Sequence, residues 1–197
     1  MTDEVIELRE RTGFPGMKIL QFAFNPDDES IDSPHLAPNN SVMYTGTHDN
    51  NTVLGWYRNE IDDPTREYLA RYTNRKEYES VPHAMLRTVF ASVSFMAIAT
   101  MQDLLELDGS ARMNFPSTLG GNWSWRMTAD QLTPAVEQEL LDFTTIYRRE
   151  NKDLKKKLRK QKNNRSRKVA DFSNLSPIKI VETKETLKHG IITKICD

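Results

Sequence analysis

The chain is expected to be an α/β protein built on a small parallel sheet. Three observations lead there. Three short apolar runs alternate with helical segments, each run closes on a cluster of polar residues, and no run alternates as a half-wet strand would. In parallel sheets functional groups collect at the carboxyl ends of strands. The clusters Asn25–Asp28, His48–Asn51 and Gln102–Asp103 occupy those places.

Residues 2–11 read as a helix, which Gly13, Pro15 and Gly16 break. MKILQFAF, residues 17–24, reads as a strand buried on both faces. Residues 25–40 are rich in Asp, Asn, Ser and Pro and read as a long surface loop. SVMYTGT, residues 41–47, is the second strand, and 52–60 the helix after it. Residues 61–80 are a charged excursion, helical around 64–72. Met85, Leu86, Val89 and Phe90 give 81–90 a helical stripe. SFMAIATMQDLL, residues 94–105, is the third apolar run, and 108–128 a loop of Gly, Asn, Pro and Trp. The last helix is 133–147, with Pro134 early and an apolar stripe from Val136 to Ile146. Three strands do not close a barrel, which with eight strand–helix units takes about 250 residues. Either the sheet is open and small, or part of the fold lies outside the chain.

Charge divides the 197 residues. Residues 1–150 carry 13 basic and 23 acidic side chains, and residues 151–197 carry 14 and 5, so the net charge of −1 hides halves of −10 and +9. All 8 Met and all 3 Trp fall in the first segment. The expectation is a packed domain over 1–150 and a basic, poorly structured tail over 151–197. The run 151–168 holds 10 basic residues and no aromatic, so nucleic-acid binding is not expected of it. The only cysteine, Cys196, excludes an internal disulfide framework. Residues 1–10 are charged and do not read as a secretory signal, and no apolar run reaches membrane length. A cytoplasmic setting is expected, with no membrane partner.

Two segments hold the residues suited to chemistry. In YTGTHDNNT, residues 44–52, a carboxylate stands beside an imidazole where a strand gives way to a helix. Such a pair binds sugar hydroxyls or stabilises developing positive charge. Equally, Asp49 or Asn51 could do no more than cap the following helix. In GGNWSWR, residues 120–126, two Trp flank a serine, with Asn122 and Arg126 as donors. Trp stacks on flat ligands but is more often packed. Asp103, Asn114 and Arg112 are further polar candidates. His35 and His83 have no metal-ligand spacing, and zinc, P-loop and dinucleotide fingerprints are absent.

GFPGMKILQFAF (13–24), YTGTHDNNTVLGWY (44–57) and MQDLLELDGSARMNFPSTLGGNWSWRM (101–127) resemble the C-terminal third of bacterial 4-alpha-glucanotransferases, the amylomaltase or disproportionating-enzyme family. The likeness runs to about Arg149. It implies the last three strand–helix units of a (β/α)8 TIM barrel that transfers α-1,4-glucan segments with retention. It implies Asp49 as the transition-state stabiliser and His48, Asp103, Asn114 and Trp123 as substrate-binding residues. No cofactor or metal is implied. The family's nucleophile and acid/base Glu belong to stretches upstream of the one matching residue 1, and Glu4, Glu7 and Glu10 are poor substitutes. A piece of a longer enzyme is therefore expected: inactive alone, and stable with a companion chain supplying the rest of the barrel. A non-catalytic glucan-binding or interaction module, or a nucleic-acid binder through the basic tail, is the alternative.

Overall fold

In the computed structural model, residues 2–150 and 156 are described. The chain divides into two units between Phe143 and Thr144, and the first is the subject below. The basic tail expected over 151–197 falls outside the described residues, Lys156 apart.

Helix α1 (Asp3–Thr12) places Asp3 and Glu4 in its first turn and Arg9 and Arg11 in its last, complementing its dipole. None of its residues is buried. Three strands follow, β1 (Gly16–Ile19), β2 (Ser41–Tyr44) and β3 (Met96–Ile98), in the order β1-β2-β3, all parallel. Gly16 pairs with Ser41, Ile19 with Tyr44, and Tyr44 with Ile98. Parallel neighbours need a crossover. The loop 25–40 supplies the first, and α2 (Val53–Asn59), α3 (Asp63–Tyr72) and α4 (Val81–Ala91) the second. Beyond β3 lie α5 (Met101–Leu104), a 3-10 turn at Gly109–Ala111, and α6 (Pro134–Ile146).

All three strands are shorter than expected, and β2 ends at Tyr44 rather than Thr47. After Ile19 the chain coils into a 3-10 turn over Leu20–Ala23. The Gln21 side chain there donates to the Asn51 carbonyl at 2.9 Å, a tertiary bond that wins over strand continuation. The run 94–105 breaks at Thr100, whose hydroxyl accepts the Asp103 N–H and starts α5. The expectation that β1 is buried on both faces is not met. Met17 is 57% exposed, while Lys18 is buried, its ammonium donating to the Ile31 carbonyl. Only the central strand is enclosed, with Val42 and Met43 in the core. As an edge strand, β1 is partly covered by its own loop. The Gly16 N–H bonds Asn40 on the β2 side, so the Ile19 N–H, three residues on, faces outward, where the Asp32 carboxylate accepts it at 3.0 Å. Phe14, Phe22, Val93 and Phe95 remain exposed near the two sheet edges.

Helix α4 packs against α2, α5 and β3. Its Ala84, Met85, Leu86 and Val89 are buried, as are Leu20, Met43, Val53 and Leu69 elsewhere in the core. Phe24 meets Trp56, Tyr68 and Tyr72 with ring centroids 5.7–6.3 Å apart, tying the end of β1 to α2 and α3. Phe143 of α6 stacks on Phe90 of α4 at 5.5 Å. Each helix between β2 and α6 starts on a side-chain cap: Thr52 for α2, Asp62 for α3, Ser80 for α4 and Thr100 for α5. Removing the Ser80 cap by Ser80→Ala is expected to cost about 1 kcal/mol of unfolding free energy, measured by chemical denaturation. Among the described residues no helix is long and apolar enough to cross a membrane.

Candidate active site

The rim at the carboxyl ends of the strands is built by the turn after β2 and by the loop 108–128. The turn is fixed from within. Asn50 Oδ1 accepts the backbone N–H and the hydroxyl of Thr47 at 2.9 and 2.8 Å. The cap of α2 is Thr52, whose hydroxyl accepts the Gly55 N–H at 3.0 Å. Neither Asp49 nor Asn51 performs that task, so the capping reading does not hold. The Asp49 carboxylate instead faces across the rim. Its Oδ1 accepts the Asn114 amide at 2.6 Å, and His48 Nε2 lies 3.3 Å from its Oδ2. Both side chains of the pair are about half exposed, 44% for His48 and 51% for Asp49.

Trp123 joins them. Its ring centroid is 5.0 Å from that of His48, at an interplanar angle of 38°, and the residue is 40% exposed. It does so with φ of +61°, a backbone state that a bulky residue adopts at a cost of about 1–3 kcal/mol. The surroundings over-determine that state. The Trp123 N–H donates to the Met113 carbonyl at 2.7 Å, Asn122 accepts the Phe115 N–H, and Arg126 donates to the carbonyls of Trp123 and Trp125. Strain held this firmly marks an aimed side chain more than a packed one. Trp125, its neighbour, is only partly exposed.

The structure therefore brings together four of the five residues singled out in the sequence: His48, Asp49, Asn114 and Trp123. Asp103 does not join them at the rim. It is 1% exposed, and its two oxygens accept the Thr45 hydroxyl at 2.6 Å and the Val53 N–H at 2.7 Å. Burial pushes its pKa up, against hydrogen bonds from Thr45, Val53 and Thr100 that pull it down. Its polarity suggested a surface role. Its position one turn into α5, beneath the start of α2, makes it a support. Arg112 does lie at the rim, donating to the Asp49 and Asn114 carbonyls at 2.7 and 2.9 Å. Glu60, which receives Arg112 and Asn51, carries no signal in the sequence because it sits in a generally acidic stretch. Open depressions of about 490 and 380 Å³ lie elsewhere, the first around Tyr78 and His83, the second around Asn25 and Trp56. Neither is lined by His48 or Asp49, so shape alone does not locate the site. Among the described residues no group of three His, Cys, Asp or Glu is arranged to hold a metal ion.

A half-exposed carboxylate oriented by an amide and flanked by an imidazole and an indole suits a polyhydroxylated, ring-shaped ligand at which positive charge develops. Comparison with known proteins gives the family. The sequence model of the 4-alpha-glucanotransferase family matches residues 1–133, and the chain belongs to that family. It is 90% identical over 154 residues to a 4-alpha-glucanotransferase of Streptococcus pneumoniae, an alignment covering 78% of this chain and 30% of that protein. Against the 4-alpha-glucanotransferase of Thermus thermophilus it is 43% identical over 141 residues, covering 68% and 28%. Among solved structures, the amylomaltase from Streptococcus agalactiae in complex with acarbose superposes with a TM-score of 0.74 at 41% identity, covering 77% of this chain and 30% of that one. The chain thus spans about 30% of the length of these relatives.

Proposed function

We propose that this chain forms the sugar-holding rim of a retaining 4-alpha-glucanotransferase, as the last three strand–helix units of a (β/α)8 barrel. The observation that carries this reading is the Asp49 carboxylate, fixed by Asn114 at 2.6 Å and facing outward beside His48 and Trp123. The acarbose complex of the similar Streptococcus agalactiae amylomaltase supports an α-1,4-glucan as the ligand. The parallel order β1-β2-β3 supports a barrel segment.

Asp49 acts on the transition state. Breaking a glycosidic bond builds positive charge at the anomeric carbon, and a fixed carboxylate nearby stabilises that charge more than the ground state. His48 and Asn114 hold that carboxylate and offer hydrogen bonds to sugar hydroxyls, while the Trp123 indole gives a flat apolar face. Retention needs two further carboxyl groups on the scissile bond, about 5–5.5 Å apart. Those groups belong, with the rest of the barrel, to the remaining part of the family's sequence. Asp103 acts from beneath, by anchoring α2.

Two assays on the purified chain test this reading. Incubated alone with maltotriose, it is expected to release neither glucose nor longer maltodextrins, and their appearance would overturn the division of labour. In gels containing amylose its migration is expected to be retarded, and Asp49→Ala to migrate faster. Migration indifferent to amylose would sink the glucan-binding rim.

A further inference from the structure

Arg112 is the most connected side chain at the rim, and it touches no sugar-facing atom of Asp49. Its Nη2 donates to the Asp49 backbone carbonyl at 2.7 Å and its Nε to the Asn114 carbonyl at 2.9 Å. Its Nη1 lies 3.4 Å from Glu60 Oε1, and the guanidinium carbon sits 4.5 Å from the centre of the Phe115 ring. The side chain is 15% exposed. Glu60 Oε1 also accepts the Asn51 amide at 2.7 Å, which ties the far side of the turn to the same carboxylate. The Asn114 N–H in turn donates to the His48 carbonyl at 3.1 Å. Two segments more than 60 positions apart are therefore clamped by one rigid fork, with Glu60 holding the fork from behind.

We infer that Arg112, backed by Glu60, is a positioning residue that sets the separation of the Asp49 carboxylate and the Asn114 amide across the sugar site. The inference rests on the reading of Asp49 as the sugar-facing acid. Its physical basis is geometric. A guanidinium presents donors in one plane, so two carbonyls bonded to it cannot shift independently. A lysine at the same place is a compact charge on a flexible stem, and its three rotatable donors impose no fixed plane on two carbonyls. Misplacement of a catalytic group by about 1 Å costs on the order of a hundredfold in rate, so such a clamp has a functional consequence.

The test uses the full chain with Arg112→Gln, Arg112→Lys and Glu60→Gln, and Ser80→Ala as a destabilised control remote from the rim. Two properties are read: the side-chain amide signals and exchange protection of Asn114 by NMR, and affinity for maltoheptaose by titration. Arg112→Gln is expected to erase Asn114 protection and weaken maltoheptaose binding about tenfold, the scale of a lost charge-assisted hydrogen bond. Arg112→Lys restores neither. Glu60→Gln, which keeps an oxygen for Asn51, shows a smaller loss of both. Ser80→Ala lowers stability and leaves both unchanged. If either arginine variant, folded, retains the Asn114 signals and wild-type affinity, the positioning role is wrong. Should Arg112→Gln fail to fold, Arg112→Lys and Glu60→Gln decide by the same readings. Should the wild-type chain bind no maltoheptaose, the glucan reading falls, while the Asn114 signals still decide whether Arg112 sets the geometry.

Discussion

Replacing Asp103 with alanine is expected to lower the unfolding free energy by about 2–4 kcal/mol, because two buried donors lose their acceptor and a cavity opens. The donors are the Thr45 hydroxyl and the Val53 N–H, both in residues with 0% exposure. Asp103→Asn should cost less, about 1 kcal/mol, since its oxygen can still take the Val53 N–H. The dependence on pH gives a second check. Burial raises the pKa of Asp103 above 3.8, its ordinary value. The folded state then binds more protons than the unfolded state between the two pKa values. Stability contributed at this site is fully present below the unfolded value and declines as pH rises through the folded one. Glu79 runs the other way. Hydrogen bonds from Arg87 lower its pKa from 4.5, so its contribution holds at neutral pH and is lost in acid. The gap between wild type and Asp103→Asn isolates the first effect. Denaturation at several pH values should show Asp103→Asn gaining on the wild type as pH rises. A gap independent of pH would mean that Asp103 does not titrate as a buried acid.

The second large effect is expected at Gly55→Ala. In an ordinary helix interior this change stabilises by about 1 kcal/mol. Here the sign should reverse. A β-carbon at Gly55 would stand 2.4 Å from Asn51 Oδ1 and 2.8 Å from the Cα of Gly109. The asparagine can turn away, but the Gly109 backbone has to move. Overpacking of this kind costs about 1–3 kcal/mol. The same displacement pulls Asn51 from Glu60 and loosens the rim. A variant that melts at or above the wild-type temperature would show that α2 and the 3-10 turn at Gly109–Ala111 are not in contact as described.

Much of the layout was legible because its causes are local. Met85, Leu86, Val89 and Phe90 mark α4 by their spacing, and Pro134 stands at the start of α6. His48 and Asp49 stand out because ionisable groups follow an apolar strand with no break. The structure departs from expectation where a distant partner decides. Nothing near Leu20 says that the strand ends there; the reason is the carbonyl of Asn51, thirty positions away. Lys18 lies buried because the loop carbonyl of Ile31, thirteen positions away, takes its ammonium, while Met17 beside it is exposed. Asp103 looks like a rim group because it follows the third apolar run, yet one helical turn carries it inward. Glu60 acquires its role only from Asn51 and Arg112.

The bond between Asp49 and Asn114 joins positions 65 residues apart. Bringing such ends together costs chain entropy that local contacts do not repay. The site therefore has no independent existence as a short peptide: it is a late product of the whole sheet-and-helix assembly. A lesion that loosens α2 should silence the rim long before the chain has lost its helices.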